Sequence, residues 1–206
     1  MAIDPKSLVA NGYDFIAETY LQRYVRSAVR DHWFGELIAL LPEGSAVLDL
    51  GCGAGIPVAD DLAGRGFRVV GVDNSARQIE LARRNVPTAK FFKADMTTVG
   101  FTPASFDGVC AFYSITHIPR QEHAALLRRI ATWLRPRGIF LASLGAKEVR
   151  NWTGNWLGVE MFFSHFGAEA NEQLLRDAGF VIEHARVVEQ DNEDARFLWV
   201  VARVEA

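Results

Sequence analysis

Five short apolar segments recur along this chain, separated by stretches of helical periodicity, and that alternation leaves few folds open. AVLDL (46–50), FRVVGV (67–72), AKFFKA (89–94), FDGVCAFY (106–113) and GIFLASL (138–144) are rich in Val, Phe and Leu. Strands read this way when both faces are covered, as in a parallel sheet. Among the intervening segments, Leu126, Leu127, Ile130, Trp133 and Leu134 make an apolar stripe at helical spacing. Ser75 and Gln78 have the spacing of a capping box. Gly179 stands where a left-handed residue would close a helix bearing Ala170, Leu174, Leu175 and Ala178. Beyond it, FVIEHARVVEQ and ARFLWVVARV are joined by little more than DNED, too short for a crossover helix, so they pair antiparallel. The expected fold is α/β: a doubly wound, seven-strand sheet of five parallel β–α units plus a C-terminal antiparallel hairpin.

No linker or repeat interrupts the pattern, and 206 residues suit one domain spanning 1–206. Two segments stand outside the rhythm: a helical, aromatic N-terminal cap (1–41) and an insertion at 147–166, rich in aromatics and glycine and without clear period. An insertion of that length is expected to be functional, as a lid. Lys and Arg number 22 against 25 Asp and Glu, a net charge of −3, which supplies no general attraction for nucleic acid or anionic lipid. Arg23, Arg26 and Arg30 fall on related helical turns and read as a solvated face. Cys52 and Cys110 match no disulfide framework or metal spacing. MAIDPKSLVANG lacks the apolar core of a secretory signal, and no run of apolar residues is long enough for a membrane span. A cytoplasmic location, with no membrane or nucleic-acid partner and a monomeric or homodimeric state, is the expectation.

The first strand runs into VLDLGCGAGIP, so Asp49 is followed by Gly51, Cys52, Gly53 and Gly55. Glycines after a strand permit a tight turn and close backbone approach to a ligand, although a simple tight turn looks the same. Ile56 occupies the place where a dinucleotide fingerprint needs its third glycine. Asp49, just before the loop, would repel a pyrophosphate and suits a ligand bearing an ammonium or sulfonium. Asp73, followed by Asn74 and Ser75, ends the second strand, where an acid accepts from both ribose hydroxyls or caps the next helix. Asp95 after the third strand fits an adenine amino group, with the Met96 N–H toward a ring nitrogen, or a plain turn.

Taken together, DLGCGAG, VVGVDNS, ADMTT, FDGVCAFYSITHIP and LRPRGIFLAS resemble the successive motifs of class I S-adenosylmethionine-dependent methyltransferases, of the small-molecule bacterial type, over residues 45–144. The resemblance implies a Rossmann-like fold, S-adenosylmethionine as cofactor and S-adenosylhomocysteine as product. It implies that Asp49 and the Gly51–Gly55 loop bind the methionyl end, Asp73 the ribose, and Asp95 with Met96 the adenine. Phe112 would meet the methionine ammonium through its carbonyl. YDFIAETY, with Tyr13, Asp14 and Tyr20, resembles a segment that folds over the cofactor in small-molecule members. The stretch from Trp152 to Phe166 resembles a substrate lid.

Methyl transfer needs collinear placement and a dry site, and a base only when the nucleophile is protonated and does not ionise easily. His117 in YSITHIP is the candidate catalytic residue, either as that base or as a loop histidine satisfying backbone groups. Tyr20, Tyr113, His117, Trp152, Trp156, Met161 and His165 are candidate substrate contacts, with Phe162, Phe163 and Phe166 as further lining and Glu160 as a possible amine partner. Packing of the lid on the sheet accounts for the same aromatics. No Asn-Pro-Pro-Tyr or Asp-Pro-Pro-Tyr follows the fourth strand, which disfavours a base-flipping adenine methyltransferase, and no acid cluster suits Mg²⁺. The expected activity is methyl transfer to oxygen or nitrogen of a small, largely apolar or aromatic metabolite. The alternatives are an RNA or protein methyltransferase, or a cofactor-binding protein without catalysis.

Overall fold

Two helices precede the sheet. In the computed structural model, which describes residues 4–191 and 194–205, α1 (Pro5–Tyr24) begins where the Asp4 carboxylate accepts from the Ser7 N–H at 2.9 Å. Proline costs nothing in that first turn, where the N–H has no helical partner. α2 (Ala28–Leu40) is capped by Ser27, whose Oγ accepts from the Arg30 N–H at 3.2 Å and donates to Asp191 at 2.8 Å. The start of the chain before Asp4, and Asn192 and Glu193 of the DNED connector, lie outside the described residues.

The strands follow as β1 (Ala46–Leu50), β2 (Arg68–Asp73), β3 (Lys90–Lys93), β4 (Phe106–Ala111) and β5 (Leu134–Gly145), then β6 (Val149–Trp156), β7 (Val159–His165), β8 (Phe180–Glu189) and β9 (Arg196–Val204). Helices α3 (Val58–Gly64), α4 (Ala76–Asn85), α5 (His123–Trp133) and α6 (Ala168–Asp177) lie among them. The main sheet has seven strands in the order β3-β2-β1-β4-β5-β9-β8. The first five are parallel, and β9 enters antiparallel between β5 and β8. The expected doubly wound, Rossmann-like sheet with its C-terminal hairpin is therefore present. Chain direction across the sheet reverses between β1 and β4, and such a switch point leaves a crevice at the carboxyl ends of the strands.

Each face of the sheet carries its own apolar layer. Leu48, Leu50, Leu126, Ile130, Phe140 and Leu175 fill one; Val47, Leu62, Ile79, Leu141 and Trp199 fill the other. α2 closes the second layer, with Trp33 stacked on Trp199 at 5.9 Å between centroids.

Three expectations need correction. The crossover from β3 to β4 is a loop, so one of the five β–α units has no helix; Val99 N–H closes on the Asp95 carbonyl at 2.9 Å in a turn rich in Thr and Gly. The insertion at 147–166 is an antiparallel hairpin, β6 against β7. Its two-residue turn, Leu157–Gly158, has φ of 52° and 86°, the sign that matches the twist of paired strands. Arg30 is no solvated residue: it is 5% exposed, and its guanidinium donates to the Tyr24 and Val25 carbonyls at 2.7 and 2.9 Å. Those carbonyls are left over at the end of α1, where a buried cation fits them.

α1 lies across the strand tips and onto the hairpin. Gly12 makes that approach possible, since a Cβ there would come 2.9 Å from Met161 Cε.

Candidate active site

At the β1 tip the chain turns through Gly51, whose φ of +80° suits glycine and whose hypothetical Cβ would stand 2.2 Å from that of Ser114. Its N–H and that of Cys52 donate to the Val72 carbonyl, at 2.7 and 3.0 Å. The Asp73 carboxylate accepts from the Gly53 N–H and the Ser75 N–H, both at 2.9 Å, and locks loop to strand tip. Burial pushes the Asp73 carboxyl upward, against those two bonds. Asp49 lies deeper, 3% exposed; burial raises its pKa to about 7, with the Asp73 charge adding to it and a contact from Cys110 opposing.

Gln78 is the feature the sequence pattern did not reveal as a site residue. Ser75 Oγ accepts from its backbone N–H at 3.0 Å, as a cap should. The side chain does not return the bond: both amide atoms are buried with no partner among the described residues, and the residue borders the cleft with Gly53 and Asp73. A buried amide without partners is costly, and in a cleft it marks a ligand-facing group.

Asp95 accepts from the Thr97 N–H and hydroxyl at 2.8 and 2.9 Å, and Lys6 of α1 pairs with it at 2.7 Å. Burial pushes this carboxyl up, but Lys6 and Thr97 outweigh that and hold it below the usual range. Lys6 also reaches Glu122 at 2.8 Å. Two turns further along the cap, Asp14 accepts from the Ser75 hydroxyl and the Arg77 N–H, at 2.6 and 2.9 Å, so α1 caps α4 from outside.

His117 stands just past β4, 6% exposed, and both ring nitrogens are engaged. Nδ1 lies 2.9 Å from the Phe162 carbonyl of the hairpin and Nε2 lies 2.9 Å from the Tyr13 hydroxyl. A carbonyl only accepts, so Nδ1 carries the proton and Nε2 takes the hydrogen bond that Tyr13 donates. Burial lowers the pKa to about 4, leaving a neutral imidazole at pH 7.

Two spaces meet at this histidine. The first is the strand-tip cleft, bordered by Gly51, Gly53, Asp73, Asn74, Asp95, Met96 and Phe112. Its free volume is about 90 Å³, with about 70 Å³ more in a recess containing Asp49, Cys52 and Gln78. The second is a cavity of about 550 Å³ toward the hairpin, with Trp156, Phe163, His165 and Gln190 on its wall. Tyr13, Tyr20, Tyr113 and His117 border both.

Most expected residues thus converge, and a few do not. Ser75 is 1% exposed and serves the α4 cap, away from the cleft. Gly55 packs against Ala82, Val86 and Phe91 instead of facing it. Met161 is wholly buried beneath Gly12, and Trp152 is 44% exposed outside the cavity. Glu160 is exposed on the far side of the hairpin, near Pro5 and Leu8.

Fold and strand-tip loops together resemble those of class I S-adenosylmethionine-dependent methyltransferases. More particularly, residues 47–138 match the model of the family described as methyltransferase domain. Over 193 residues the chain is 28% identical to the 27-O-demethylrifamycin SV methyltransferase of Amycolatopsis mediterranei, covering 83% of this chain and 65% of that one. It is 32% identical over 122 residues to the ubiquinone biosynthesis O-methyltransferase of Methylocella silvestris, covering 57% and 46%. The chain therefore spans less than two thirds of the length of these relatives. The crystal structure of Burkholderia thailandensis 1,6-didemethyltoxoflavin-N1-methyltransferase, with 1,6-didemethyltoxoflavin and S-adenosylhomocysteine bound, superposes with a TM-score of 0.75 at 23% identity, over 100% of this chain and 92% of that one.

The cleft suits S-adenosylmethionine. The glycine turn leaves no side chain between backbone and ligand, two carboxylates border it, and the unpartnered amide of Gln78 awaits polar atoms.

Proposed function

We propose that this protein methylates oxygen or nitrogen of a small, largely aromatic metabolite held in the cavity beside His117. The observation that carries the reading is the wall shared by the two spaces, built from Tyr13, Tyr20, Tyr113 and His117. Asp73 is assigned to the ribose hydroxyls, Asp95 and Met96 to the adenine, and Asp49, Gln78 and the glycine loop to the methionyl end. When bound, the cofactor supplies an electrophilic methyl on a sulfonium. The chain's own part is placement and dryness. An imidazole with a pKa of about 4 is a weak base, so His117 and Tyr13 orient the acceptor and exclude water, and the acceptor's own basicity drives the transfer.

α1 and the β6–β7 hairpin are assigned as a two-part lid. Ligand cavities usually measure ~300–1,000 Å³, so a cleft this narrow has to widen to admit a nucleoside, and α1 is the element lying over it. A cavity of about 550 Å³ lined with aromatics favours a small acceptor over RNA or protein.

The test uses methyl-labelled S-adenosylmethionine with a cell extract split into small-molecule, RNA and protein fractions. Label in the small-molecule fraction is expected. Label confined to RNA or protein, or none with the cofactor bound, overturns the reading.

A further inference from the structure

The acceptor cavity is aromatic at its inner end, where Tyr13, Trp156 and Phe163 surround His117. Its other end is polar, and one group there lacks a partner. Gln190, at the end of β8, has its backbone N–H fixed to the Ala195 carbonyl at 2.9 Å. Its Oε1 accepts from the Tyr113 hydroxyl at 2.6 Å, which orients the amide. Tyr113 itself is held in the left-handed region, φ +57°, with its N–H donating to Ser143 Oγ at 2.6 Å. Backbone strain of this kind persists where the surroundings over-determine it, commonly at ligand sites. The remaining end of the amide, Nε2, is buried in the cavity wall with no acceptor among the described residues.

The cations around it are donors themselves and cannot accept from Nε2. Arg30 is engaged by main-chain carbonyls and Asp31, and Arg196 pairs with Glu189. Lys147, also on the wall, has no carboxylate partner among the described residues, and Asp194 is the acid on the same wall. A buried amide donor without an acceptor calls for an oxygen from the ligand, which a carbonyl or carboxylate supplies.

We infer that Gln190 is a specificity-determining residue: it selects aromatic acceptors that carry a second oxygen, carbonyl or carboxylate, remote from the atom that is methylated. This rests on the cavity being the acceptor site. Such a molecule would lie with its ring among the inner aromatics, its nucleophile at His117 and its second oxygen on Gln190 Nε2.

The experiment measures binding, so that it does not depend on turnover. The protein is saturated with S-adenosylhomocysteine and titrated with hydroxynaphthoate, hydroxynaphthaldehyde and naphthol, with Trp fluorescence and calorimetry as readouts. Hydroxynaphthoate and the aldehyde should bind at least about fivefold more tightly than naphthol, the scale of one or two hydrogen bonds. Gln190→Leu should remove that difference while leaving S-adenosylhomocysteine affinity unchanged. Gln190→Glu, which keeps the shape but offers an anion, should reverse the order by rejecting hydroxynaphthoate most. Equal binding of the three probes, an undiminished preference in Gln190→Leu, or no binding of any probe overturns the inference. If the preference is present and depends on Gln190 but no probe is methylated, the inference stands and the assignment of methyl transfer to such acceptors fails.

Discussion

Tyr13 and His117 meet edge to face across the top of the cleft, with the Tyr13 hydroxyl 2.9 Å from Nε2 and the ring planes 89° apart. The contact ties the first helix of the chain to the tip of β4, and the Phe162 carbonyl fixes the same imidazole from the hairpin. Cap, sheet and insertion thus converge on one side chain.

That geometry predicts a modest catalytic effect. His117→Gln should lower kcat by less than about tenfold, because a positioning imidazole is replaced by a polar side chain of similar reach. Removing a general base typically costs 10²–10⁴-fold. A hundredfold loss with S-adenosylhomocysteine affinity intact would restore His117 as the base.

The same histidine predicts a pH dependence of stability. Its folded pKa, about 4, lies below the 6.5 of a free imidazole. The unfolded chain therefore binds a proton that the folded one refuses, and stability falls as pH drops from above 6.5 toward 4. The difference corresponds to ~3 kcal/mol across that window. Thermal melts at pH 7.5 and 4.5 should show a larger drop for the wild type than for His117→Gln. Parallel curves for the two proteins would exclude this contribution.

Asp73→Asn and Asp73→Ala should both weaken cofactor binding, the second by roughly 1.5–3 kcal/mol, the scale of hydrogen bonds to a charged acceptor. Asn retains an acceptor for one of the two backbone N–H groups of the loop, so it should be the milder change. Calorimetry with S-adenosylhomocysteine measures both, and unchanged affinity in Asp73→Ala would remove the ribose assignment. NAD should not bind either form.

Gln78→Met offers a prediction of opposite signs. Removing a buried amide that has no partner among the described residues should leave the ligand-free protein as stable as before or more so, while cofactor binding weakens by about tenfold, near 1.4 kcal/mol. Melting temperatures with and without S-adenosylhomocysteine report both effects. Loss of stability without ligand would mean that the amide serves the fold.

Hydrogen exchange should slow in α1 and in the β6–β7 hairpin when S-adenosylhomocysteine is added, with the core strands β1 and β4 unaffected. Equal protection in both states would leave the two segments as fixed walls and not a lid.

The parts legible in the sequence are those whose cause is local. β1 and β4 announce themselves as short, mostly apolar runs because both faces of the sheet are covered, and Asp73 because an acid ends a buried strand. The hairpin was hidden for the opposite reason. It is a two-stranded sheet with one face on α1, and its turn is Leu157–Gly158 and not the usual Asn-Gly. Arg30 read as solvated because spacing along a helix does not reveal carbonyls presented by the end of another helix. Trp152 and Met161 share a segment and an apolar character, yet one is outside and the other beneath α1; only the strand pairing decides which. Gln78 was concealed by a role it half performs, since its N–H serves the cap while its side chain turns away.

Gly12 has a kinetic consequence. By letting α1 sit directly on Met161 it makes helix and hairpin a single roof over both spaces. Under the lid proposed above, one opening event would admit and release both ligands, and nucleoside and acceptor would share an exit route. A tightly held acceptor analogue should accordingly prolong the residence time of S-adenosylhomocysteine, although the two molecules occupy separate rooms.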